Sequence, residues 1–174
     1  LLATRIPYRS YQKFAFPFLL ISLLGLILVF TEIGTTAGTK AGRWLALGPI
    51  TFQPAEILKL TFIVYLAAWL SNPRERRTID FVQGFLPFLL TLGVVAGLLV
   101  AQPATSAVVI LLGASVIVYF VSGAKMRYVV ATVFLGVVAL SALVYLTPYR
   151  FERVKTFWNP GKDVLGYDYH VNEA

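Results

Sequence analysis

Five apolar runs set the pattern of this chain, at residues 14–30, 54–70, 84–101, 104–121 and 128–146, each 17 to 19 residues long. Charged residues gather in the segments between them. A hydrocarbon core of about 30 Å takes about 20 helical residues to cross, and soluble helices rarely repeat an apolar run of that length five times in so short a chain. Inside lipid each backbone N–H and C=O has to be satisfied within the element, and the roughly ten-residue alternation of a barrel strand is missing. The pattern therefore predicts an all-α, polytopic integral membrane protein: one membrane domain with five transmembrane helices, an outward loop at 31–53 and an outward tail at 147–174. Residues 84–121 form 38 consecutive positions without Asp, Glu, Lys or Arg. As a single helix they would extend about 57 Å at about 1.5 Å per residue, so this stretch should fold back on itself.

Composition supports the same class: 58% of the 174 residues are hydrophobic and 13% charged, with a mean hydropathy of +0.77. Disorder and collagen are excluded. No cysteine is present, which removes a disulfide scaffold and gives no redox clue. The net charge of +7 would suggest nucleic acid in a soluble domain, but the basic residues sit in short clusters between apolar runs rather than on a continuous face. Their value is topological. Segments 4–13, 71–83 and 122–127 carry eight basic and two acidic residues, whereas 31–53, 102–103 and 147–174 carry six basic and five acidic. An excess of Lys and Arg marks the cytoplasmic side, so the first set is expected inside and the second outside.

Leu1, Leu2 and Ala3 are too few apolar residues for a signal peptide, and after Asp163 the chain runs on without a helical or strand pattern. These ends suggest a piece of a longer protein.

The candidate chemistry lies mostly on the outward side. Pro54 suits the first position of a helix, where its missing N–H costs nothing. Glu56 falls in that first turn, favoured by the helix dipole, and Lys59 three residues on shares its face. Two readings stand: an ion pair at a helix entrance, or a polar lining of a cavity opening outward. Gln102 and Pro103 occupy the turn of the 38-residue hairpin, where proline breaks the helix and polar side chains can cover freed backbone groups. Thr147 and Pro148 resemble a cap and start of a short amphipathic helix to about Trp158, with Arg150, Arg153 and Lys155 beside the headgroups. Arginine grips phosphate through a planar fork of donors, so a lipid diphosphate is a reasonable ligand. One histidine and no cysteine leave no visible protein metal site. The cofactor stays open, a divalent cation included.

Several blocks together resemble the SEDS family (shape, elongation, division, sporulation) of bacterial cell-wall synthases, in particular its FtsW and SpoVE branch. They are Gly42-Arg43-Trp44-Leu45, Gln53-Pro54-Ala55-Glu56 with Lys59, Ala101-Gln102-Pro103, Ser122-Gly123-Ala124-Lys125, and in the tail Pro148-Tyr149-Arg150, Arg153-Val154, Phe157-Trp158-Asn159-Pro160 and Asp163. The resemblance implies an enzyme of about ten membrane helices that polymerises lipid II, an undecaprenyl-linked disaccharide peptide, into glycan strands in the bacterial cytoplasmic membrane. It implies a class B penicillin-binding transpeptidase as partner, and a place for this chain from the third to the seventh helix. Substrate or cavity contacts would then fall among Arg43, Gln53, Glu56, Lys59, Gln102, Arg150, Arg153 and Lys155. The family's catalytic aspartate, a general base for the attacking sugar hydroxyl, would lie beyond Ala174, so no catalytic residue is assigned here. The chain departs from the family pattern at Ala104-Thr105-Ser106-Ala107, in place of Asp-Leu-Gly-Thr. It departs again at Asp168-Tyr169-His170 and Glu173-Ala174, where glutamines are usual. A transporter or flippase of a lipid-linked precursor, and a non-catalytic membrane scaffold, remain as alternative functions.

Overall fold

The computed structural model describes residues 7–31, 34–35, 44–47, 50–71, 78–102, 104–148 and 151. Their elements run in the order α1 (Tyr8–Leu28), β1 (Gly34–Thr35), β2 (Trp44–Leu47), β3 (Ile50–Phe52), α2 (Pro54–Leu70), a π-helical turn (Phe81–Phe85), α3 (Leu86–Ala101), α4 (Thr105–Val121) and α5 (Met126–Leu146). The chain divides into two compact units, residues 1–130 and 131–174.

The first unit is built from heptad-like stripes on helices that are apolar all round. On α1 the buried positions are Ala15, Leu19, Ser22, Leu26 and Val29; on α2 they are Ala55, Leu58, Phe62, Leu66 and Leu70. Steps of three and four keep each stripe on one face. The remaining surface carries exposed Phe14, Phe16, Phe18, Ile21, Leu24 and Leu60, an arrangement that suits lipid rather than water.

Helices α1 and α2 pack antiparallel, and small side chains let them approach closely, as is common where lipid removes the hydrophobic drive between helices. A Cβ on Gly25 would lie 3.6 Å from the Cβ of Pro54. Midway along the pair, Thr61 Oγ1 lies 2.9 Å from Ser22 Oγ, which donates to the Phe18 carbonyl at 2.8 Å. At the far end Gln12 Nε2 donates to Ser71 Oγ at 2.9 Å. Helices α3 and α4 form the expected hairpin, turning at Gln102, and Phe88 stacks on Tyr119 with ring centroids 4.2 Å apart and planes 11° off parallel.

Several boundaries differ from the apolar runs. Helix α1 begins at Tyr8, so Arg9 and Lys13, read from the sequence as loop residues, lie on the helix. Helical hydrogen bonding does not stop at the edge of the apolar stretch, and long basic side chains can reach out along it to the headgroup region. Pro17 sits inside α1, where it leaves the Lys13 carbonyl without its helical donor. The third helix is preceded by the π-helical turn, one of whose first N–H groups is covered by Asp80: its Oδ1 accepts from the Gln83 N–H at 2.8 Å. The loop at 31–53 contains a small antiparallel sheet in the order β1-β2-β3, with Thr35 opposite Trp44 and Leu45 opposite Phe52.

Among the described residues three helices are long and apolar enough to cross a membrane: Arg9–Leu28, Phe81–Ala101 and Met126–Leu146. Helices α2 and α4, at 17 residues each, reach about 25 Å, short of a core of about 30 Å.

In the second unit α5 continues to Leu146, and a new turn opens at Pro148. The Phe151 N–H bonds the Thr147 carbonyl at 3.0 Å, and Phe151 meets Tyr145 edge-on at 6.0 Å and 82°. The rest of the expected amphipathic helix, to Trp158, lies outside the described residues.

Candidate functional site

The N-terminus of α2 carries the polar pair that the sequence singled out. Gln53 takes the cap position in extended conformation and its carbonyl accepts from the Glu56 N–H at 3.1 Å. Pro54 follows as the first helical residue and is buried. Glu56 Oε2 and Lys59 Nζ are 2.9 Å apart, with the glutamate side chain 60% exposed and the lysine 19%. The ammonium is thus half-sheltered among apolar groups while the carboxylate is exposed, and the pairing offsets a cation at a helix end that does not favour one.

The ion pair forms, and its two residues line a groove of about 470 Å³ together with Ile57, Leu60 and Ile63 of α2 and Ile110, Leu111 and Ala114 of α4. The walls are aliphatic and the two charges are its polar groups. Such a groove can hold an apolar chain along its length and present a cation to an anionic group at one end. The α4 residues were hidden in an apolar run, and nothing in their sequence distinguished them from residues that face lipid.

Gln102 takes a different place. Its side chain is 1% exposed, and Nε2 donates to the Leu26 carbonyl at 2.7 Å. At the end of α1 the Phe30 N–H turns to Ile27 and the Thr31 N–H to Leu28, so Gln102 covers a carbonyl that the helix leaves exposed. Its Oε1 is buried without a hydrogen-bond partner. Gly25, which abuts Pro54, precedes Leu26. The start of α2 and the α3–α4 turn therefore both rest on the last turns of α1, at one end of the unit.

Arg43, Arg150, Arg153 and Lys155 lie outside the described residues. Trp44 and Leu45, beside Arg43, form the start of β2, and Leu45 is buried. Among the described residues no group of three or more His, Cys, Asp or Glu is arranged to hold a metal ion.

A stack of apolar helices folded back in a hairpin, with a charged pair at the mouth of an aliphatic groove, defines a polytopic helical membrane protein. The family model described as "Cell cycle protein", for FtsW, RodA and SpoVE, matches residues 1–174, and the chain belongs to this family. It is 37% identical over 175 residues to a probable peptidoglycan glycosyltransferase FtsW of Idiomarina loihiensis, covering 100% of this chain and 42% of that protein. The crystal structure of the rod shape determining protein RodA of Thermus thermophilus is 32% identical, with a TM-score of 0.65, over 83% of this chain and 44% of that one. A chain from a peptidoglycan synthase complex, solved to show how polymerisation and crosslinking are coordinated, is also 32% identical, with a TM-score of 0.71, over 98% and 49%. This chain thus spans less than half the length of these relatives.

Proposed function

We propose that this chain is the part of a peptidoglycan glycosyltransferase that holds lipid II during glycan polymerisation in cell division or shape maintenance. The match of the whole chain to a probable glycosyltransferase of the family, together with the Glu56–Lys59 pair at the groove mouth, carries the reading. In the reaction a sugar hydroxyl attacks the anomeric carbon of the next unit, and the lipid diphosphate leaves. Lys59 supplies positive charge near that leaving group, and Glu56 orients Lys59. Arg43, Gln53, Arg150, Arg153 and Lys155 are further headgroup contacts, while Gln102 holds the hairpin turn against α1. The protein works in the bacterial cytoplasmic membrane with a class B penicillin-binding transpeptidase. Segments 4–13, 71–83 and 122–127 face the cytoplasm and 31–53 and 147–174 the other side.

The test is polymer formation from purified lipid II by the intact protein with its transpeptidase. Lys59→Ala should lower the rate about 100-fold, the scale of losing one charge-stabilising donor. Movement of labelled lipid II across liposomes without polymer would instead establish the flippase. Well-folded protein that neither polymerises nor moves lipid II would leave the scaffold.

A further inference from the structure

Opposite the Glu56–Lys59 end, the first unit closes on an aromatic and basic junction that the polymerisation reading does not use. The α4–α5 connection is short: Gly123 adopts φ +85°, the Lys125 N–H bonds the Thr78 carbonyl at 3.3 Å, and the Lys125 carbonyl accepts from Tyr128 at 2.8 Å. This ties the start of α5 to the segment leading into the π-helical turn. Phe85 stacks on Tyr128 at 4.8 Å and 13°, and Phe81 flanks both rings. The Arg127 guanidinium lies over the Tyr128 ring at 4.8 Å and donates to its hydroxyl at 3.0 Å.

Two properties of this junction call for an occupant. Its apolar side chains are open, with Phe81 51%, Val82 66% and Met126 62% exposed. Its cations are available: Lys125 has no ion pair among the described residues, and Arg127 spends one N–H of its fork on Tyr128 and keeps the others. Asp80, the nearby acid, is engaged in capping Gln83. Lys125 and Arg127 together give this face a charge that favours an anion. A π-helical turn is uncommon and frequently marks a functional position. Here it brings Phe81 and Phe85 together beside Tyr128, so one ring buries against the bundle while the other stays open.

We propose that the junction of the π-helical turn with α5 is a seat for an anionic phospholipid. Lys125 and Arg127 hold the phosphate, and Phe81, Val82 and Met126 receive the acyl chains. Basic clusters at helix ends attract anionic headgroups through the surface potential, and the aromatic rings sit at headgroup depth. The inference rests on the membrane fold and is independent of the polymerisation reading.

Native mass spectrometry of the intact protein, titrated with phosphatidylglycerol or phosphatidylcholine from mixed micelles, tests it. Wild-type protein should retain phosphatidylglycerol in preference to phosphatidylcholine. Lys125→Gln with Arg127→Gln should weaken phosphatidylglycerol retention roughly 30-fold, while Lys125→Arg with Arg127→Lys should keep most of it. Equal retention of the two lipids by wild-type protein would overturn the proposal, whether or not the variants fold. Equal phosphatidylglycerol retention by wild-type protein and the glutamine variant would overturn it as well.

Discussion

The two ends of the first unit solve the same problem, closing a bundle of apolar helices, by opposite means. At the Glu56 end the closure is polar and small: Gly25 against Pro54, Gln102 on the Leu26 carbonyl, and a charged pair beside a groove. At the other end it is aromatic and large: Phe88 on Tyr119, and Phe85 on Tyr128 with Arg127 above. Ring stacks fill volume, whereas small residues and single hydrogen bonds bring backbones close together. Grooves open at both ends, about 470 Å³ beside Glu56 and Lys59 and about 420 Å³ between Leu70 and Val121, so the contrast lies in what closes each end: dense ring stacks or sparse small and polar contacts.

The largest effect should come from the dense end. Phe88 is fully buried, and Phe88→Ala removes a stacked ring and leaves a cavity beside Tyr119, at a cost of about 3–5 kcal/mol. Thermal unfolding of the intact protein in detergent should show a fall of several degrees. The same variant with an unchanged transition would break the comparison, because the aromatic end would then not be what holds the bundle.

A smaller loss is expected at the sparse end. Gln102→Ala leaves the Leu26 carbonyl unpaired at a buried position and should cost about 1–3 kcal/mol. Part of that cost is offset because the unpartnered Oε1 leaves with the side chain. Gln102→Glu is the sharper probe, since a carboxylate offers no N–H to Leu26 when ionised. It should destabilise more at neutral pH than in acid, where the protonated form can donate again. A pH-independent loss would mean that the hydrogen bond to Leu26 contributes little.

The helices were legible because lipid imposes one constraint over some twenty residues at a time, and 54–70 marks α2 as the structure places it. Family membership was legible because blocks such as Gln53-Pro54-Ala55-Glu56 and Ser122-Gly123-Ala124-Lys125 follow one another in a definite order. The start of α1 at Tyr8 was not, since Arg9 and Lys13 signal where hydrocarbon ends rather than where a helix does. The sheet was not, because its strands of two to four residues are too short for alternation to register. The Glu56–Lys59 contact was visible as i, i+3 spacing, but the groove beside it was not. Ile110, Leu111 and Ala114 belong to a helix that is apolar on every face, so only tertiary packing distinguishes wall from lipid surface.

The smallest expected effect separates two glycines by what each position requires. Gly123 holds φ +85° with nothing within 4 Å of an added Cβ, so Gly123→Ala meets open space and is penalised by backbone conformation alone, about 1–2 kcal/mol. Asn tolerates that region better and should recover part of the loss. Gly25 has a helical backbone, and an added Cβ would make an ordinary 3.6 Å contact with Pro54. Gly25→Ala also gains helix propensity of up to about 1 kcal/mol, so it should be neutral or slightly stabilising. The pair is read from unfolding midpoints of the two alanine variants. If Gly25→Ala proves the more damaging, the sparse end is packed more tightly than its neighbours indicate. If the expected order holds, the glycine of the Ser122–Lys125 turn is there for its dihedral angle, which sets where Lys125 and Arg127 stand.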